Sequence, residues 1–425
     1  MRKSLEQILM WSLVVALMAG CQSPSPALDN GPEEPDEPDV VEEEDADEEE
    51  DAEEEPDPEP RERPEGAVDH TSEEHELWVT EVAGPFHHPW AVAFLPDGRM
   101  LVTERRGNLM LVEDGEATEV DGLPAIRATN QGGLLDVSLH PDYEESGWIY
   151  LTYSKPEEGS QQTATAVARA RLDGTSLTDL EEIFVQNRYS GAGRHYGSRI
   201  VWLEDGTFLV SIGDRGQEPP RAQDTEDHAG SVLRLNDDGT VPSDNPFVGD
   251  DDVLDEIYTY GNRNIQGMAL DPETGVVWAA DHGPRGGDIL YAIEAGNNYG
   301  WPIFTYGMDY QTGEPMSVTE TQDPDELPGV VAPNHQFDPT HPPSGLVIVR
   351  GGYFENWQGD VLVGGLRTQE IRRLVVDGDE ISHEEAFLSD DLGRIRDVRQ
   401  GPDGDVYVLP DRNDGMLYRV QAAEE

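Results

Sequence analysis

Two residues at the ends of one short stretch have the types that move protons. In RHYGSRIVWLEDGTFLVSIGD, Arg194 to Asp214, two apolar runs, Arg199 to Leu203 and Thr207 to Ile212, flank Glu204-Asp205-Gly206. Apolar runs around an Asp-Gly turn read as a β-hairpin. A hairpin folds its ends together. His195, just before the first strand, and Asp214, just after the second, are therefore expected side by side at one rim of a sheet. A carboxylate on one ring nitrogen fixes the histidine tautomer and frees the other nitrogen as a general base. The same pair also suits an ordinary strand-end hydrogen bond.

A second set of residues is cationic. Arg263 and Asn264 open a strand in TYGNRNIQG, Arg367 follows a strand farther on, and Arg394 and Arg396 lie in GRIRDV. Four arginines at corresponding strand ends of an acidic chain point to an anionic ligand, because the guanidinium is always charged and grips carboxylates through a bidentate fork. Each could instead pair with a local Asp or Glu. Gln131, before Gly132-Gly133, and the run His282-Gly283-Pro284 stand at strand ends of the same kind.

These residues need a scaffold that brings distant strand ends to one place. From Leu77 onward one pattern recurs: a short apolar strand, an Asp-Gly turn or a relative of it, and a second strand. It appears as AVAFLPDGRMLVTER, LLDVSLHPDYEESGWIYLTYS, RIVWLEDGTFLVSIGD, IQGMALDPETGVVWAADHG, GLVIVRGGYFENWQGDVLVGGL and IRDVRQGPDGDVYVLPD. Six units at spacings of roughly 45 to 85 residues predict an all-β fold, a six-bladed β-propeller of four-stranded antiparallel blades. A sandwich or two separate β domains are the alternatives. The six-fold count and the lack of an interior linker favour the propeller. Leu77–Val82 has no hairpin partner nearby and is expected to pair with Met416–Val420, closing the ring and covering an open edge. The inserts 189–195, 217–228 and 306–341 are expected over the face that carries the site.

The 425 residues carry a net charge of -61, with 28 Lys and Arg against 89 Asp and Glu. Such a surface repels nucleic acid and anionic lipid, so no nucleic-acid partner is expected. Adaptation to high salt and codon bias toward arginine both suit this composition. Asp29 to Glu65 is nearly all Glu, Asp and Pro and reads as disordered. Cys21 is the only cysteine, which excludes an intrachain disulfide. Arg2 and Lys3, the apolar run 8–19 and Leu17-Met18-Ala19-Gly20-Cys21 resemble the signal and lipobox of a bacterial lipoprotein. The run is too short for a comfortable membrane span. The expected organisation is a lipoprotein signal peptide at 1–20, a disordered acidic tether at 21–75 and the propeller at 76–425. Lipidation at Cys21 implies a periplasmic or cell-surface protein that meets a membrane only through its lipid anchor.

Several long motifs stand in one order: QGGLLDVSLHP, HYGSRIV with SIGDRG, YGNRNIQG, DHGPRGGD with NNYGWP, APNHQFDPTHPPSG and GRIRDV. Together they make residues from about Leu77 to Val420 resemble the soluble PQQ-dependent sugar dehydrogenases, the glucose/sorbosone dehydrogenase family, and its aldose sugar dehydrogenases in particular. The resemblance implies a six-bladed propeller with pyrroloquinoline quinone (PQQ) on its top face and Ca²⁺ polarising the quinone. It implies that His195 is the general base, Asp214 its partner and Gln131 a contact to the substrate. Arg263 and Asn264 would meet the quinone oxygens, Arg394 and Arg396 the cofactor carboxylates. Arg367 stands where relatives have a lysine, and Phe337 where they stack a tryptophan on the cofactor. The carbonyls of Gly283 and Pro284 would hold calcium. At the position of a second calcium ligand the chain has Ile289, with Asp288 one residue earlier and Tyr299 retained.

Two readings of different class follow. The first is a PQQ- and calcium-dependent dehydrogenase that oxidises an aldose at C1 to the lactone. It must hand electrons to an external protein or quinone, because the chain has no CxxCH haem motif. The second is a non-catalytic propeller of the same shape that binds glycans or a surface protein. The second has no need of a His–Asp pair or of arginines at the channel. A calcium-dependent lactonase would need several carboxylates converging on a metal, and no such set is apparent in the sequence.

Overall fold

Six short strands stand side by side around a central axis: Pro89–Phe94, Leu134–Leu139, Gly197–Trp202, Ile265–Leu270, Pro343–Ile348 and Ile395–Gln400. Each packs against the next, and the last against the first. From each, a sheet runs outward in antiparallel strands. This computed structural model describes residues 61–423. The described residues form the six-bladed propeller that the repeated strand-turn-strand pattern predicts. The signal peptide, Cys21 and most of the acidic segment lie outside them.

The strands form where the sequence alternates apolar and polar residues between turn residues, and their apolar sides meet between blades. Six apolar clusters fill the six blade interfaces. Leu101 and Leu109 of the first blade, for example, pack with Leu135, Ile149 and Leu151 of the second. Each fully buried Leu or Ile contributes about 1.5–3 kcal/mol relative to an exposed one.

Closure follows the expected route. Glu76–Phe86 pairs with Gly415–Ala422, with Leu77 opposite Ala422 and Thr80 opposite Arg419. The N-terminal strand thus becomes the fourth strand of the sixth blade. The domain reaches back before the expected boundary at residue 76. Val68–Thr71 adds a fifth strand to that blade, with Val68 opposite Val79. Arg61 bonds Asp405 and lays its guanidinium 3.2 Å over the Tyr353 ring. The part of the expected tether from 61 to 75 therefore belongs to the domain. Its four-residue strand, VDHT, is too short and polar to stand out beside an acidic low-complexity run.

Two features of the centre position the site. All six inner strands carry a register shift near their first residues, between Pro89/Ala91, Leu134/Val137, Gly197/Ile200, Ile265/Gly267, Pro343/Leu346 and Ile395/Asp397. A bulge bends a strand and re-aims its side chains. Repeated at the same end of all six, it turns the residues before each strand toward one mouth of the channel. Below that mouth the channel is plugged by charge. Arg199 bridges Asp136 at 2.9 Å and Asp397 at 3.0 Å, and Arg399 bonds the same two aspartates at 2.8 and 3.1 Å. Buried charges survive only when paired in this way.

Candidate active site

The mouth of the channel holds a cavity of about 580 Å³, within the size range of small-molecule sites. The hairpin Gly197–Trp202 and Phe208–Ile212 brings His195 and Asp214 to its wall. Asp214 is fully buried. Its Oδ1 accepts His195 Nδ1–H at 2.6 Å and the Gly216 N–H at 2.7 Å, and its Oδ2 accepts Trp301 Nε1–H at 2.8 Å. Gly216 has φ +64°, and a Cβ there would lie 2.9 Å from His195 Nδ1. Only glycine can turn the chain so close to the imidazole.

The His195 backbone is held as firmly as its ring. Its N–H donates to Gln131 Oε1 at 2.8 Å, and its carbonyl accepts from Arg215 Nη1 at 3.1 Å. Its φ is +51°, uncommon for a residue other than glycine. These clamps hold that conformation in place. Burial pushes the imidazole below its ordinary pKa, and the Arg263 guanidinium pushes it further, against the pull of Asp214. Burial raises Asp214, but the His195 ring, Arg263 and the Trp301 N–H outweigh it and hold the carboxyl below its usual range. At neutral pH the pair is therefore a neutral imidazole donating through Nδ1 to a carboxylate. Its Nε2 lone pair is left to accept a proton.

The rest of the lining is cationic. Arg105, Arg194, Arg263, Arg394 and Arg396 face Asp214, Asp309 and Asp411. With His195 neutral, the cavity has an excess of two positive charges inside a chain whose net charge is -61. Buried Asp281 accepts the backbone N–H of Arg263 at 2.8 Å and of Asn264 at 2.6 Å. Burial lifts its pKa to about 6. Arg263 donates to the His282 carbonyl at 2.8 Å, while its Nε is buried with no partner among the described residues. Asn264 Oδ1 accepts the Gly197 N–H at 3.1 Å, which leaves its NH₂ as the free end. Arg396 bonds Gln266 Oε1 at 2.6 Å and Asp411 at 2.9 Å, and its Nε is another orphan.

The structure gathers most, not all, of the residues singled out in the sequence. Gln131, His195, Asp214, Arg263, Asn264, Pro284, Arg394 and Arg396 line the cavity. Gln131 spends its side-chain carbonyl oxygen on the His195 backbone N–H, so it positions that residue. Gly283 lies one step behind, in a small side pocket. Arg367 is exposed and does not line the cavity. Phe337 is also absent from the wall. It is buried between the fourth and fifth blades with Leu346, Val361 and Val363, edge-on to His335, and the expected stacking place is not where this ring lies. The sequence reading gave no role to Trp90, Arg105, Arg194, Trp301 or Asp411. His282, named there only as part of the run His282-Gly283-Pro284, also lines the cavity; its Nε2 is buried with no partner among the described residues, and burial drives its pKa well down. Tyr310 stands at the lip, 63% exposed. Its turn is fixed by Asp309 Oδ1, which accepts the N–H of Gln311 at 2.9 Å and of Thr312 at 2.8 Å.

These residues suit a flat polyanion with oxygen acceptors, such as PQQ. The orphaned nitrogens of Arg263, His282 and Arg396 are the buried polar atoms such a ligand would satisfy. Calcium is less well provided for. Among the described residues no three His, Cys, Asp or Glu side chains gather in a metal-binding arrangement. The Pro284 carbonyl already accepts the Gly287 N–H at 2.9 Å. Calcium takes six to eight oxygens, so the chain alone does not complete a calcium site. Both oxygens of Asp288, beside the expected second calcium position, are used by Gly283 N–H and the Thr340 hydroxyl.

Comparison with known proteins points to one family. An aldose sugar dehydrogenase of Escherichia coli strain K12 is 37% identical over 337 residues, 78% of this chain and 90% of the relative. The solved apo-form structure of the soluble aldose sugar dehydrogenase from Escherichia coli superposes with a TM-score of 0.78 at 36% identity, covering 81% of this chain and 99% of that one. Quinoprotein glucose dehydrogenase B of Acinetobacter calcoaceticus is 28% identical over 400 residues, 76% of this chain and 83% of the relative. The PQQ-bound form of an aldose sugar dehydrogenase from Streptomyces coelicolor superposes with a TM-score of 0.64 at 25% identity, covering 81% and 98%. Residues 86–419 match the family described as Glucose / Sorbosone dehydrogenase, and the chain belongs to that family.

Proposed function

We propose that this protein oxidises aldose sugars at C1 to the lactone, with PQQ as the electron acceptor and His195 as the general base. The observation that carries this is His195, held by buried Asp214, Gln131 and Arg215, at the wall of a positively charged cavity in a strongly acidic chain. The names of two relatives support the chemistry, a quinoprotein and an aldose sugar dehydrogenase.

Turning C1 of a cyclic aldose into a lactone removes two electrons and two protons. PQQ, when bound, supplies the acceptor for the electron pair and the C1 hydrogen. His195 Nε2 takes the proton of the C1 hydroxyl, and Asp214 stabilises the imidazolium that forms. Arg263 and the Asn264 NH₂ present donors where negative charge grows on the acceptor's oxygens, in a site arranged in advance. Arg394 and Arg396 hold carboxylates. Trp301 and Gln131 keep acid and base in register. Calcium, when bound, would be held by the carbonyls of Gly283 and Pro284 and would polarise the quinone. Electrons leave to an external protein or quinone. Lipidation of Cys21 would place the enzyme on the periplasmic or outer side of a bacterial membrane.

Reconstitution tests the proposal. Purified protein titrated with PQQ and Ca²⁺ is expected to bind PQQ at one site per chain. It is then expected to turn over one or more aldoses with an artificial electron acceptor. Absence of PQQ binding, or binding without turnover of any aldose, contradicts it.

A further inference from the structure

We infer that Arg105, on the first blade, is a direct ligand of the cofactor's carboxylates and fills the role expected of Arg367. This rests on the cofactor reading above. Arg105 follows the strand Met100–Glu104 and lines the cavity, whereas Arg367 is exposed outside it.

Charge balance makes the case. Arg105, Arg394 and Arg396 converge on one carboxylate, Asp411, at 3.7, 3.5 and 2.9 Å. The neighbouring His88 also spends its Nδ1 on Asp411, at 2.7 Å. Three guanidiniums on one aspartate leave two positive charges uncompensated at this end of the cavity. Arg396 is buried, Arg105 is half-buried and Arg394 is exposed, and like charges held this close repel unless an anion joins them. At 3.7 Å the Arg105–Asp411 contact is not a hydrogen bond. The guanidinium donates to the Asn130 carbonyl, and its remaining N–H groups are available to a ligand. Burial, together with Arg396 and Arg394, disfavours the charged form of Arg105, a penalty that a bound carboxylate would relieve.

The placement is also fixed. The Arg105 N–H donates to the His88 carbonyl at 3.0 Å. Gly133 packs against it so closely that a Cβ there would lie 1.6 Å from the Arg105 carbonyl oxygen. Arg263, Asn264 and His195 form a separate polar group on the third and fourth blades. A flat ligand that presents carboxylates along one edge and further oxygen acceptors along another satisfies both groups, and Arg105 belongs to the carboxylate edge.

There is one competing role. Asn130, which Arg105 bonds, precedes Gln131, which holds His195, so Arg105 could serve only as a brace for the base. Direct titration of apo protein with PQQ, followed by fluorescence quenching, separates the two. Arg105→Ala is expected to raise the PQQ dissociation constant roughly 10- to 100-fold, with turnover at saturating PQQ within a few-fold of wild type. Arg105→Lys keeps the charge without the fork and should fall between, and it serves if the alanine variant is unstable. Arg367→Ala should bind PQQ as wild type does. Unchanged PQQ affinity in both Arg105 variants, with lowered turnover, would overturn the inference in favour of a brace. Weakened binding in Arg367→Ala would overturn the exchange of roles. Failure of the wild-type protein to bind PQQ would overturn the proposed function as well, whereas failure confined to this inference leaves wild-type binding intact.

Discussion

Asp214→Asn is the most informative single change, because every partner of Asp214 is a donor. His195 Nδ1–H and Gly216 N–H meet Oδ1 at 2.6 and 2.7 Å, and Trp301 Nε1–H meets Oδ2 at 2.8 Å. A carboxylate satisfies all three, but an amide has one acceptor and one donor end. With its oxygen toward His195, the amide keeps two bonds and sets its NH₂ against the Trp301 N–H. Reversed, it keeps Trp301, opposes the Gly216 N–H, and forces His195 to accept through Nδ1, which places the proton on Nε2 and disables the base. Each orientation keeps two bonds and one clash, so both should be populated and the tautomer effect alone costs only a few-fold. The larger loss is the charge that stabilises the imidazolium. A hydrogen bond to a charged group contributes about 1.5–3 kcal/mol, or roughly 10- to 150-fold. Turnover of Asp214→Asn should therefore fall roughly 30- to 500-fold. Trp301→Phe removes the opposing donor and favours the productive orientation. The double variant should therefore be several-fold faster than the product of the single effects. The assay is turnover per bound PQQ across the double-mutant cycle. Strict additivity, or normal turnover in Asp214→Asn, would refute the reasoning.

Other expectations follow from the same geometry. Because His195 titrates below its ordinary value, the base stays neutral as pH falls past 6.5 and is lost only lower. The acid limb of kcat/KM should lie below pH 6.5 and move lower still in Asp214→Asn, and a limb above that value would contradict the burial argument. Tyr310→Ala, which removes an aromatic face at the lip, should raise KM for the sugar roughly 2- to 12-fold with kcat little changed; an unaltered KM would show that the ring does not touch substrate. Removing residues 1–57 should leave the melting temperature and turnover unchanged. A cut through residue 75 should lower the melting temperature, since it deletes the strand Val68–Thr71 and the Arg61–Asp405 contact. In the full chain, Cys21→Ser should shift the protein from the membrane to the soluble fraction, as fractionation would show.

Local pattern made much of this legible. The hairpins, the closure through Leu77–Val82 and the meeting of His195 with Asp214 depend on short-range alternation and turn residues, which one sequence displays. Convergence across blades is harder to read. Arg105 sits in Glu104-Arg105-Arg106-Gly107, which looks like any charged turn, and only the ring closure carries it to Asp411. A positional signal was nevertheless available. Carboxylates recur at the end of the second strand of several blades, Glu104, Asp214, Asp281 and Asp411. They bond residues near the start of an inner strand, through His87 N–H, the His195 ring, Arg263 and Asn264 N–H, and Arg396. Aligning the six repeats by that acid would have singled out Asp411 and, one residue after Glu104, Arg105. Phe337 misled because motif position gives no side-chain direction. The two-residue strand His335–Gln336 edges the fourth blade, and the next residue turns into the apolar interface.

The central claim is that His195 acts in the chemical step and not in holding the fold or the cofactor. The direct measurement is turnover of His195→Ala, normalised to bound PQQ, beside its melting temperature and PQQ affinity. The expected result is a fall of roughly 10²- to 10⁴-fold in turnover, with PQQ affinity and melting temperature near those of wild type. Normalised turnover equal to wild type would contradict the account.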